Sequence, residues 1–239
     1  MSESEKLIRQ QICDIGKRIY DRDMVAANDG NISVRISEHE ILCTPTGISK
    51  GFMTPECICK TDENGNLLED GGGYRPSSEI KMHLKVYAAR ADVGAVVHAH
   101  PQFATSFAIA GQPLNQPITS EAVVLLGCVP LAPYATPSTD EVPRSIEEYL
   151  DDFDALLLEN HGALTWSENL EAAYMRMESV ENYARLMYRT KMIGAANVFS
   201  KQQIEKLAVV RVKTGVKGRY PHDRSGEKCY KCDKCFWRE

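Results

Sequence analysis

Two histidines one residue apart close an apolar run in "VVHAHPQ", residues 96–102. A strand sends alternate side chains to opposite faces. His98 and His100 therefore share one face, with Ala99 on the other. An H-x-H pair on a strand is a two-point chelate, and imidazole suits zinc and neighbouring divalent ions. The same pair is also compatible with two rings hydrogen-bonded at a surface. A second apolar run, "ALLLENHGAL", ends in His161, and Gly162 lets the chain turn there. Glu79 stands in "PSSEIKMH", at the start of an expected helix upstream of the pair. Three histidines and a carboxylate at the edges of regular elements would make a catalytic metal site with an exchangeable position. Taken singly, His161 also reads as a turn histidine, and Glu79 as a carboxylate favoured by the helix dipole. His83, one turn after Glu79, is read as a solvated surface residue, with a place behind the metal as the other reading. His39 and His222 are assigned to a turn and to the tail.

A second kind of chemistry is written in three short segments: "DGNIS" (29–33), "TPTGISK" (44–50) and "RPSSE" (75–79). Small hydroxyl, amide and glycine residues beside regular elements offer backbone N–H groups and a helix N-terminus, which can hold phosphate with little positive charge. Each segment alone is ordinary turn chemistry. Only convergence in space would give them joint value.

The elements that must position these residues follow from periodicity. Ser4 is expected to cap a first helix whose stripe is Ile8, Ile12, Ile15 and Ile19. Ile32, Val34 and Ile36, then Ile41 and Cys43, alternate around a polar turn and predict a hairpin. Ser78 opens the helix with Ile80, Leu84 and Tyr87 on one face, and "VGAVVHAH" is a short buried strand. "CVPLAPYATP" is strand-like and then loop. Ser167 is expected to cap a long helix with Leu170, Tyr174, Met177 and Ala184 inside, followed by a helix over "SKQQIEKLAVVR". The irregular alternation, with no G-x-G-x-x-G after a strand, excludes a doubly wound parallel sheet. The reading is one α/β domain of antiparallel or mixed strands flanked by helices, plus a tail.

Composition sets the class. A net charge of −5 argues against non-specific nucleic-acid binding, which wants a basic face. No run of 18 apolar residues occurs, so no membrane span is expected. The N-terminus "MSESEKLIRQ" lacks the apolar core of a signal peptide. The expected location is the cytoplasm, with the eight cysteines mostly reduced thiols or metal ligands. Cys57 and Cys59 alternate and look structural. Cys229, Cys232 and Cys235 form C-x2-C-x2-C, which could wrap a metal with a fourth ligand such as His222, or belong to a tail of reactive thiols.

Read in order, "GNIS", "TPTG", "PSSE", "HAHP", "APYAT" and "ENHG" resemble the class II aldolase/adducin family from about residue 5 to about 210. The nearest pattern is that of its small sugar-phosphate aldolases, those acting on fuculose 1-phosphate among them. The resemblance implies a three-layer α/β/α domain around a mostly antiparallel central sheet, here residues 1–212, followed by a tail, 213–239. It implies a homotetramer with active sites at subunit interfaces and one Zn2+, or another divalent transition metal ion, per subunit. His98, His100 and His161 would be the metal ligands. Glu79 would be the catalytic carboxylate and would join the metal when substrate is absent. Gly30, Asn31, Thr46, Gly47, Ser77 and Ser78 would hold the phosphate of a small phosphorylated sugar. The implied reaction is the reversible cleavage of a ketose 1-phosphate to dihydroxyacetone phosphate and an aldehyde. Family epimerases carry Asp after the Ser-Ser pair, and Glu79 here favours carbon–carbon cleavage. A dehydratase or decarboxylase of the same family is the alternative, and a non-catalytic adducin-like interaction protein a further one, against which the intact ligand set argues. The pattern departs from the fuculose-phosphate enzymes in two respects. The tyrosine they carry before "PYAT" is missing from "PITSEAVVLLG", where Ser120 and Glu121 stand, and a second one has Tyr220 as its nearest replacement. Lys50, after "TPTGIS", is read as solvated, with a phosphate contact as the other reading. The carboxyl of Glu79 is expected to titrate high in a dry pocket.

Overall fold

A computed structural model of the chain describes residues 2–220. The C-x2-C-x2-C motif and His222 lie outside the described residues. The strands are β1 (Asn31–Arg35), β2 (Ile41–Cys43), β3 (Cys59–Thr61), β4 (Leu67–Glu69), β5 (Ala95–Ala99), β6 (Leu131–Ala132), β7 (Ala155–Leu158) and β8 (Gly162–Ser167). They form one sheet in the order β4-β3-β2-β1-β5-β8-β7-β6. Every described pairing is antiparallel except β6 with β7. The helices are α1 (Glu3–Asp21), α2 (Ile80–Ala89), α3 (Gln102–Ile109), α4 (Ser120–Leu125), α5 (Glu141–Ile146), α6 (Leu170–Ile193) and α7 (Lys201–Lys213).

Strand alternation divides the core in two. Ile32 and Val34 of β1, Ala95, Val97 and Ala99 of β5, and Ala163 of β8 pack with α1, α3 and α6. Val96 of β5 and Leu164 and Trp166 of β8 face the other way and pack with α2 and α5. The result is the expected α/β/α sandwich around a mostly antiparallel sheet. The central strand β5 is buried on both faces, which is why it reads as an unbroken apolar run. Each fully buried large aliphatic side chain contributes about 1.5–3 kcal/mol, so the strand that carries His98 is well anchored in the core. The free thiols Cys57 and Cys59 are buried in it, as expected of structural residues.

Several boundaries differ from expectation. Ser2, not Ser4, caps α1, its hydroxyl accepting from the Glu5 N–H at 3.1 Å. Asn169, not Ser167, caps α6, its side chain accepting from the Ala172 N–H at 2.9 Å. Ser167 instead ends β8, a strand the sequence did not disclose because "GALTWS" is buried throughout and has no alternation. The short helices α3, α4 and α5 were also missed. Each is too short to show a helical stripe. Among the described residues no helix is long and apolar enough to cross a membrane.

Candidate active site

The alternation of β1 and β5 aims the polar residues. His98 follows Val96 onto the α2 face, and Asn31 is its direct partner across the β1–β5 ladder. His100 lies just beyond the end of β5 and keeps the same sense. His161 sits in the tight turn between β7 and β8. Gly162 is required at that turn, because a Cβ there would come within 2.6 Å of the Ala99 carbonyl oxygen and of the His100 ring. Gly30 fills a similar need before β1, with φ of +75°, and a Cβ there would lie 2.9 Å from the His98 carbonyl oxygen. Glu79 occupies the N-cap position of α2 but makes no capping bond with its side chain. Its carboxylate turns inward to the histidines.

The three rings converge with centroids 4.7–5.0 Å apart. One ring nitrogen from each histidine lies within 4.8 Å of the other two, the spacing of a shared metal site. Glu79 Oε1 is 3.2 Å from His161 Nε2, and Oε2 is 3.6 Å from His98 Nε2. The Asn31 amide donates to Glu79 Oε2 at 2.9 Å and holds the carboxylate in this orientation.

The donor chemistry fits a divalent cation. His98 Nδ1 lies 2.9 Å from the Ala163 carbonyl, which can only accept, so Nδ1 carries the proton and Nε2 presents a lone pair. His100 Nδ1 lies 3.4 Å from the Asp29 carboxylate, which likewise leaves a lone pair on its Nε2. The two Nε2 atoms face each other at 3.1 Å. Facing lone pairs are satisfied by a cation between them, and the carbonyl and carboxylate behind the rings fix the tautomers as metal sites require. Burial drives the proton affinity of His98 well below the ordinary imidazole range and lowers that of His100, so both are neutral ligands at pH 7. Burial would raise the Glu79 carboxyl, but attraction from His98 and the hydrogen bond to His161 outweigh it and hold it well below the carboxylate range. The expected upward shift is thus reversed in this state.

The three small-residue segments converge. Pro45 and Pro76 pair as a bridge, with Thr46 N–H donating to Arg75 at 2.8 Å and Ser77 N–H to Thr44 at 3.1 Å. The Thr44 hydroxyl in turn accepts from Ile32 N–H at 3.1 Å. Gly30, Asn31, Thr46, Gly47, Ser77 and Ser78 all line one cavity of about 310 Å³ that also exposes Glu79, His100 and His161.

Some participants were missed or misread. Asp29 and Ser138 also line the cavity. Ser138 bonds Ser78 at 2.7 Å. It follows the "APYAT" motif, which is the one signal that could have marked it. His83 is fully buried and not solvated, with Nδ1 2.7 Å from the Ser33 hydroxyl, which also lies 2.9 Å from the Tyr87 hydroxyl. Lys50 is also buried, 1% exposed, and not solvated. Glu121 is exposed at the start of α4, and Tyr220 is buried with the Arg211 guanidinium 4.7 Å from its ring. Neither lines the cavity.

Comparison with known proteins agrees with this architecture. A curated relative from Methanococcus maripaludis, an L-fuculose phosphate aldolase, is 34% identical over 174 residues, 73% of this chain and 92% of that protein. A 3-oxo-tetronate 4-phosphate decarboxylase of Escherichia coli is 31% identical over 188 residues, covering 77% and 87% of the two chains. A solved L-fuculose 1-phosphate aldolase superposes with a TM-score of 0.78 at 31% identity, over 88% of this chain and 97% of that one. The profile of the class II aldolase and adducin N-terminal domain matches residues 10–188, a span that takes in every residue of the histidine cluster and its cavity. On that match and those relatives, the chain belongs to the class II aldolase and adducin family.

Proposed function

We propose that residues 1–212 form the catalytic domain of a divalent-metal-dependent aldolase that cleaves a ketose 1-phosphate reversibly to dihydroxyacetone phosphate and an aldehyde. The observation that carries this reading is one cavity joining a three-histidine cluster and a carboxylate to three loops of phosphate-binding type. His98, His100 and His161 would hold the ion, zinc by the preference of an all-imidazole set. The bound ion would supply Lewis-acid stabilisation of the negative charge that develops on the substrate oxygens, worth several kcal/mol.

The chain's own residues do the rest. Backbone N–H groups and hydroxyls of Gly30, Asn31, Thr46, Gly47, Ser77 and Ser78 anchor the phosphate and so fix the distance of the reacting carbons from Glu79. Glu79 moves the proton on and off the carbon next to the carbonyl: it protonates that carbon in cleavage and deprotonates it in synthesis. A carboxylate that turns from His98 and His161 toward substrate keeps its burial, which favours the protonated form it needs as an acid. Asn31, bonded to it at rest, is placed to guide that turn. Cleavage rather than epimerisation is supported by Glu at position 79. The family's homotetrameric assembly and a cytoplasmic location belong to the same reading.

The test is to incubate metal-loaded protein with a panel of ketose 1-phosphates and assay dihydroxyacetone phosphate. A second reading, decarboxylation of a 3-oxo sugar-acid phosphate, is supported by likeness to the decarboxylase of that class and by the missing tyrosine. Release of CO2 from such an acid, with no triose phosphate from any ketose, would select it.

A further inference from the structure

The cavity presents a charge problem. It is lined by Asp29 and Glu79, and among the described residues lining it there is neither lysine nor arginine. A phosphate ester carries close to two negative charges at neutral pH. Neutral loops can supply hydrogen bonds, but two carboxylates oppose the entry of a dianion.

The missing cation lies directly behind the loops. The Lys50 ammonium donates to the Asn28 carbonyl at 3.0 Å and to the Ile48 carbonyl at 2.7 Å. These carbonyls belong to the two separate segments that carry Gly30 and Asn31 on one side and Thr46 and Gly47 on the other. A carbonyl held from behind leaves its loop free to turn N–H groups forward into the cavity. Two donors of the ammonium are used this way, and both acceptors are neutral. An ammonium is normally kept in water or paired with an anion when buried. The segment cannot simply swing outward, because the Lys50 carbonyl is packed against Gly16 of α1, where an added Cβ would lie 2.8 Å from it.

We infer that Lys50 is the positioning residue of the phosphate subsite, clamping its two main loops and supplying the positive charge that the cavity wall lacks. This rests on the phosphate reading given above. The titratable groups facing the ammonium are Asp29, Glu79 and the Cys57 thiol. Burial lowers its proton affinity to about 8, with Asp29 the largest opposing influence. A bound dianion favours the charged form, so phosphate and proton bind together, and affinity falls as pH rises past 8.

The experiment is a calorimetric titration of metal-loaded protein with inorganic phosphate at pH 7.5 and 9.5, for wild type and Lys50→Met, with melting temperature and metal content as controls. The expected result is at least tenfold weaker phosphate binding in wild type at the higher pH. Lys50→Met should bind at least tenfold more weakly at pH 7.5, lose most of the pH dependence and keep its metal. Equal pH dependence in the two proteins would overturn the inference, as would a folded Lys50→Met that binds phosphate like wild type. A structural lysine would lower the melting temperature without moving the pH profile. Should the variant fail to fold, NMR of lysine 13Cε signals in wild type decides: the signal titrating near pH 8 must move to higher pH when phosphate is added, and an unmoved signal contradicts the role. No turnover is needed. Phosphate binding that follows Lys50 in a protein without aldol activity would overturn the reaction and keep this inference. An active aldolase whose phosphate affinity ignores Lys50 would do the reverse.

Discussion

His98 and His83 are both fully buried imidazoles on the α2 face of the sheet, yet only one belongs to the proposed metal centre. His98 has Nδ1 tied to a carbonyl and Nε2 turned toward two other rings and a carboxylate, in a cluster that opens on a cavity. His83 stands one helical turn after Glu79, bonded to the Ser33 hydroxyl, with Tyr87 on the other side of that hydroxyl. Burial lowers the proton affinity of both, to about 3 at His83. The lesson is that burial and a shifted pKa do not make a site. Converging lone pairs with an open side do, and a sealed histidine one turn away is a structural strut.

The sharpest way to break the comparison is to remove ligands. His98→Ala, His100→Ala and His161→Ala should each lower metal affinity by more than about 100-fold, the upper range for loss of a mere supporting partner. Activity should fall with the metal. Elemental analysis after dialysis reads the result, and wild-type metal content in any one variant would remove that histidine from the centre. The cavity side gives a smaller effect. Asn31→Ala, Thr46→Val and Ser77→Ala should each cost roughly 1–3 kcal/mol of phosphate recognition. They should raise KM for the phosphorylated sugar, narrow the preference over the free sugar and leave metal content alone. Wild-type turnover of free and phosphorylated ketose at equal rates would make these loops ordinary turns.

His83→Gln should have the smallest effect on activity and act on stability instead. The unfolded imidazole takes up its proton near pH 6.5 and the folded one near pH 3. Between those values the unfolded chain holds more protons, so stability is present above pH 6.5 and drains away as pH falls toward 3. The variant should lose about 1–3 kcal/mol at neutral pH from the broken hydrogen bond. It should also show a flatter stability curve across the acid window, by chemical denaturation at stepped pH. An unchanged slope would mean that other groups govern acid unfolding. Lost metal in this variant would move His83 into the centre and collapse the comparison.

Much of this was legible in the residues. The H-x-H pair follows from the two-residue period of β5, and His161 from the turn that Gly162 permits. The segments at Gly30, Thr46 and Ser77 were legible as candidates, but their convergence was not. It depends on the Pro45–Pro76 bridge and on the pairing of β1 with β5, which join segments distant in sequence and carry no local signal. Lys50 and His83 were misread for one reason. Polar residues are assigned to the surface by default, and only tertiary structure supplies the carbonyls of Asn28 and Ile48 or the hydroxyl of Ser33 that make their burial tolerable. The strand β8 was hidden because both its faces are covered.

The central claim is a division of labour: three histidines hold the ion, while Glu79, in contact with them at rest, moves the proton. Proton exchange at C3 of dihydroxyacetone phosphate in deuterated solvent, followed by NMR, isolates that half-reaction without any aldehyde. The account predicts ready exchange by the metal-loaded wild type. Glu79→Gln should keep its metal on the histidines and lose exchange by about 10²–10⁴-fold, the usual cost of removing a positioned base. Undiminished exchange in a metal-loaded Glu79→Gln protein would contradict it.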